Sequence, residues 1–229
     1  PLNYISLCAQ VSPMLGLLKE AEAALNTDRR LAESYAKAGN VLLPMLFTID
    51  IPRGKPDRPL ADYVVKNAIP GKEDELGALP AAAVQVPLDS LGRAAAGLGH
   101  LNANPDVDGG IRTEPLVLRY FEHHFPSLSL MIAAKSLNLG PADIRIRANE
   151  GVTLGRLRIG TDPALQMYAF FYKDRDNRPA FQPDSFYDVL MGKIPATKYA
   201  DKIVLIGATA AGVGTTSVTP VSPAMAPVM

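Results

Sequence analysis

The chain has 229 residues, of which 48% are hydrophobic and 20% charged, so at roughly 150 residues per domain it makes one large domain or two small ones and is neither disordered nor collagen-like. Lys plus Arg and Asp plus Glu each total 23, which excludes a nucleic-acid binder working through phosphate neutralisation, because that class carries a basic excess. Glycine and proline together make about 17% of the chain against a typical ~12%, which predicts many turns and short elements.

Residues 2–9 read as a strand, and Cys8 within it as a small buried hydrophobe. As the single cysteine, Cys8 excludes an internal disulfide and any Cys-based zinc site but leaves the compartment open. Ser12-Pro13 opens a helix whose Met14, Leu17, Leu18, Ala21, Ala24 and Leu25 share one face expected to be buried. A second helix starts at Thr27-Asp28 and stops at Gly39-Asn40, residues that tolerate the left-handed conformation. VLLPMLFTI (41–49) is a buried strand. Residues 51–80, with five prolines and dense charge, predict a surface excursion with one short element at 61–66, the most mobile part of the chain.

A short helix over 88–96 leads into GLGHLN (97–102), the turn NPDVDGG (104–110) and the strand IRTEPLVLRYF (111–121), together read as a hairpin. Pro126-Ser127 opens a third long helix with Leu128, Leu130, Met131, Ala134 and Leu137 inward. Strands are predicted at IRIR (144–147), VTLGRLRI (152–159) and MYAFFY (167–172), with Phe170, Phe171 and Tyr172 packing in the core on one face and one ring on the other. Asp184 is expected to cap the helix SFYDVLMG, and KIVLIG (202–207) to form a buried strand. Residues 203–229 carry no charge and are long enough to span a bilayer, yet Pro220, Pro223 and Pro227 would break backbone hydrogen bonding there. That stretch is read instead as the buried strand followed by an irregular tail. Residues 1–18 lack the basic start of a signal peptide, and the first residue is Pro1, so a longer parent protein is expected. The fold class is α/β, a mixed sheet with helices packed on it in a single domain.

GATAAGVG (207–214) sits where a phosphate-cradling turn would, but Val213 stands where a Walker loop needs lysine and no G-x-G-x-x-G is present. Asn104, Asp106, Asp108 and Gly109 match the first half of a calcium loop, whereas position twelve is Pro115. The reading is a structural hairpin turn at Asp106, Asp108 and Gly109 in which the carboxylates accept backbone N–H groups and Arg112 balances their charge. His123 and His124 point to opposite faces if a strand continues there, so they cannot share a metal. No catalytic residue, metal or cofactor is expected.

Four ordered blocks, GHLNANPDVDGGIRTEPLVL (99–118), FPSLSLMIAA (125–134), SFYDVLMGKIP (185–195) and DKIVLIGATAAGVGTTSVTP (201–220), together resemble the type-2 CHASE domain, an extracytoplasmic sensor of bacterial signalling proteins. AGNVLLPMLF (38–47) is similar to an earlier element of it, so the resemblance covers roughly 28–220. The opening Trp-Pro segment of the family has no counterpart, and Thr215-Thr216 replaces the usual Asp after the last glycine turn.

The resemblance implies a sensor domain over 1–220 with 51–80 as an excursion and 221–229 as a Pro-rich tail leading toward a membrane segment. It implies a non-catalytic, periplasmic module of an inner-membrane protein. The module detects an unknown small ligand or protein partner and is joined by membrane helices to a cytoplasmic cyclase, histidine kinase or Ser/Thr kinase. A homodimer is one option, and nucleic acid is not a partner. His100, Asn102 and Thr209, taken from the matching blocks, are the candidates for a ligand crevice. A Rossmann-like nucleotide-using enzyme and a structural dimerisation spacer are the alternatives.

Overall fold

The computed structural model describes residues 14–225 except 19, 23, 57, 72–76, 148–149, 174, 176–179 and 210–215. The expected strand at 2–9 and the core of the glycine turn after 209 lie outside the described residues. Helical residues between 14 and 25 precede α1 (Thr27–Ala38). The Asn26 side chain caps α1 by accepting the Arg29 N–H, and Gly39 ends it at φ 67°, its N–H returning to the Tyr35 carbonyl. The apolar face expected to be buried is not: Met14, Leu17, Leu18 and Leu25 are all exposed.

Five strands form the main sheet, β1 (Leu42–Ile49), β2 (Leu79–Gln85), β3 (Gly97–His100), β5 (Val117–Tyr120) and β6 (His123–Pro126), in the order β3-β1-β2-β5-β6. β1 runs parallel to β3 and antiparallel to β2, while β2 runs parallel to β5 and β5 antiparallel to β6, so the sheet is mixed as expected. Pro44 is tolerated within β1 because pairing with β2 begins only at Leu46, leaving that stretch an edge on one side. The short helices α2 (Asp62–Val65) and α3 (Asp89–Ala94) and the longer α4 (Leu128–Ser136) connect or cover these strands. Ser127 caps α4 by accepting the Leu130 N–H.

Because side chains alternate along a strand, β5 feeds two cores. Val117 joins Leu130, Met131 and Ala134 of α4, while Leu118 and Tyr120 join Met45, Phe47, Tyr63, Val64 and Phe125 on the opposite face. Each fully buried aliphatic or aromatic side chain contributes about 1.5–3 kcal/mol. The α4 core extends to Ile144, Val152 and Leu154 of a second sheet, β7 (Ile144–Arg147), β8 (Gly151–Leu154) and β9 (Leu157–Ile159). VTLGRLRI is thus two strands turning at Gly155 rather than one.

Several expectations change. β2 lies in the middle of the sheet, where no element was expected, and Tyr63, Val64 and Ile69 of the 51–80 segment are buried. The expected hairpin of 97–102 with 111–121 does not form. Instead β4 (Thr113–Pro115) pairs with β10 (Gln166–Tyr168), and the hairpin is β5–β6 across Phe121-Glu122. Ser185, not Asp184, caps α5 (Phe186–Leu190), since Asp184 is taken by the Lys198 ammonium and the Tyr199 hydroxyl. The aromatic run is not core: Phe170 is 81% exposed and stacks edge-on with Tyr172. KIVLIG is neither strand nor buried, with Ile206 78% exposed. The tail is a hairpin of β11 (Ser217–Thr219) and β12 (Ser222–Met225) rather than irregular.

β3 approaches α4 so closely that Gly99 has no room for a side chain. A Cβ there would stand 2.6 Å from Leu128 Cα and 2.8 Å from both Leu128 N and the Ser127 carbonyl oxygen. Gly99→Ala is expected to destabilise the domain by about 3 kcal/mol, since backbone must shift, as measured by urea unfolding.

Candidate functional site

The carboxyl ends of β1 and β3 bring two of the three crevice candidates together. β3 ends at His100, the Leu101 N–H still reaches the Met45 carbonyl at 3.0 Å, and Asn102 then continues the ladder with its side chain. The Asn102 amide accepts the Phe47 N–H at 2.8 Å and donates to the Phe47 carbonyl at 2.6 Å. His100 is 1% exposed with its ring 6.2 Å from, and edge-on to, Phe47. No described group hydrogen-bonds to either ring nitrogen. Thr209 is exposed, and no described contact joins it to the other two.

Burial holds the His100 imidazole far below its ordinary range, at about 3. The unfolded chain protonates this group near pH 6.5, before the folded chain does, so above that pH the buried neutral ring carries no proton-linked penalty and stability is at its full value. As pH falls from ~6.5 toward ~3 that stability is lost, on the order of a few kcal/mol.

The turn 106–112 is closed by backbone and side chain alike. The Gly109 N–H reaches the Asp106 carbonyl at 2.8 Å, with Gly109 at φ 78°. Asp108 Oδ1 accepts the Gly110 N–H at 2.9 Å, and the Arg112 guanidinium spans Asp106 at 2.6 Å and Asp108 at 2.7 Å. The Arg112 hydrogen bond, then the Gly110 N–H, hold the Asp108 carboxyl well below the usual carboxylate range. The same pair of aspartates raises Arg112. Among the described residues no group of three or more His, Cys, Asp or Glu is arranged to hold a metal ion. Two further bonds attach the turn to distant chain: the Ile111 N–H donates to the Val218 carbonyl of β11 at 2.8 Å, and the Ala169 N–H to the Arg112 carbonyl at 2.9 Å.

The structure also contains a cavity that sequence reasoning missed. About 920 Å³ in volume, it lies between the 50–61 loop and the residues of β2, and Tyr120 and Phe121 of the β5–β6 hairpin line it. Neither His100, Asn102 nor Thr209 lines it. The sequence holds its parts, the cations Arg53, Lys55 and Arg58 and the small Ala82 and Ala83, but in separate segments that no local pattern joins.

His100→Leu is expected to raise stability at neutral pH by about 1–3 kcal/mol, because it removes two buried ring nitrogens that no described group satisfies. It should also flatten the loss of stability expected of the parent chain between pH ~6.5 and ~3, as checked by urea unfolding of both. Asp108→Ala should lower the melting temperature with no calcium dependence in either protein, as checked by calorimetry with and without millimolar calcium.

No curated protein and no solved structure matches the chain. A family model for the CHASE2 domain matches residues 12–229, nearly the whole sequence, and the ordered blocks from GHLNANPDVDGG to DKIVLIGATAAG fall inside it. The chain belongs to the CHASE2 domain family, whose members are extracytoplasmic sensory domains.

Proposed function

We propose that this chain is the non-catalytic, extracytoplasmic input module of a membrane signalling protein. In this reading it binds a small ligand or partner and passes a conformational change to a cytoplasmic cyclase or kinase. The match to CHASE2 over residues 12–229 carries this reading. Among the described residues no helix is long and apolar enough to cross a membrane, so the proposed anchors are segments other than the described helices.

A sensor needs two states with different affinity for its signal and a mechanical route between site and output. The exposed KIVLIG segment cannot be the rigid route. The Asp106/Asp108/Arg112 turn suits that part better, because Ile111 grips the β11–β12 tail while Arg112 grips the chain at Ala169. The tail segment is the part of the chain that would lead to the membrane in the family arrangement.

Two measurements on the full-length protein test the reading. In a Cys8→Ala background, Val107→Cys, fully exposed in the turn, should react with a membrane-impermeant maleimide in intact cells. Labelling that requires lysis overturns the extracytoplasmic location. Arg112→Ala should shift the basal output of the attached effector in isolated membranes, and an unchanged output rules out the turn as the route.

A further inference from the structure

Resting on the sensor reading, we propose that the cavity between the 50–61 loop and β2 binds a small amphipathic organic anion, one with an apolar body and a single carboxylate, sulfonate or phosphate head. Its volume of about 920 Å³ falls in the range of small-molecule sites, roughly 300–1,000 Å³.

Charge selects the head group. Among the described lining residues, Arg53, Lys55 and Arg58 stand against one carboxylate, Asp50. Several cations elsewhere are paired: Arg93 with Asp89, Arg112 with two aspartates, Lys193 with Asp188, Lys198 with Asp184. No described residue makes an ion pair with the three cavity cations. In a chain of zero net charge, three cations against one carboxylate among the described lining residues make a local excess of positive charge. Guanidinium groups suit a planar or tetrahedral oxyanion, which they grip with two parallel hydrogen bonds.

The walls select the body. Leu60, Val64, Val84 and Val86 offer apolar surface, and Ala82 and Ala83 leave the space over β2 unfilled. Alanine is a poor strand former, so its presence in a central strand fits a requirement for room. The Phe121 ring stands 4.8 Å from Tyr120, edge-on. Phe121 occupies a backbone conformation of φ 50° at the hairpin turn, a position that glycine fills without strain. The Phe121 ring packs on the Phe47 cluster and also lines the cavity. Tyr120, 7% exposed, borders the cavity and also packs 5.9 Å from the Phe47 ring. An occupant therefore presses on the same aromatic cluster that seals His100.

The test is titration calorimetry of the 229-residue chain with phenylbutyrate as probe, beside its neutral amide and the corresponding phenylbutylamine. The acid should bind, the amide about tenfold more weakly, and the amine not at all, with binding of the acid falling as salt rises. Arg53→Ala/Arg58→Ala should weaken the acid about tenfold without lowering the melting temperature, because both side chains are exposed and form no described ion pair. Ala83→Phe, which fills the cavity, should abolish binding of acid and amide alike.

No binding of the acid at millimolar concentration, equal binding of acid and amide, or an unchanged affinity in the double arginine variant each overturns the proposal. Binding to phosphatidylglycerol vesicles but not to the free acid overturns it in favour of a lipid headgroup. These outcomes are independent of maleimide labelling and effector output, so this assignment can fail while the sensor reading stands.

Discussion

Two hydrogen bonds from one side chain hold the centre of the molecule in register. β3 runs out at His100, yet β1 continues to Ile49, and without a neighbour the Phe47 backbone would have an unpaired N–H and C=O in a partly buried place. The Asn102 amide supplies both missing partners, a donor and an acceptor in the geometry of a peptide unit. Everything packed on the Phe47 ring depends on that anchoring: Phe125 at 5.4 Å, Tyr120 at 5.9 Å and His100 at 6.2 Å. Asn67 plays a matching part at the other end of β3, accepting the Leu98 N–H and donating to the Tyr63 carbonyl, so α2 is tied to the same edge.

The two faces of the sheet serve different ends. The face toward α4 is closed by Leu130, Met131 and Ala134 and by the backbone approach of Gly99 to Leu128. On the other face, the core around Phe47 has Tyr63 and Val64 of α2 packed over it and opens at one margin, where Val64 and Tyr120 also border the cavity. A rigid face and an incompletely filled one on the same sheet allow a local change at the margin to be felt in the ring cluster without disturbing the α4 side, since close-packed interiors transmit displacement.

What could be read from the sequence was whatever a few adjacent residues decide. The Gly39 stop, the Ser127 start and the Met45/Phe47 alternation of β1 follow from local geometry. β2 was illegible because LPAAAVQ has neither the β-branched content nor the strict alternation of a strand, and only its neighbours β1 and β5 define it. KIVLIG shows the converse: an apolar run states what could be buried, not whether a partner surface is there. One apparent strand is divided at Leu116 into β4 and β5, which pair in different sheets. For the site, the approach of Asn102 to His100 through β1 could be guessed from one motif block, while the cavity joins segments around residues 55, 84 and 120 that no local pattern connects.

The mixed topology also fixes how the chain must assemble. β5–β6 and β7–β8–β9 join strands that are close in sequence and can zip locally. β1 with β3, and β2 with β5, pair across long intervening stretches, the Asn102–Phe47 bonds alone spanning 55 positions. Closing such loops costs entropy before any contact rewards it, which slows chains dominated by distant pairings. The local hairpins thus have a kinetic head start, and the carboxyl end of β1, with its aromatic cluster, is set only when most of the sheet is already in place.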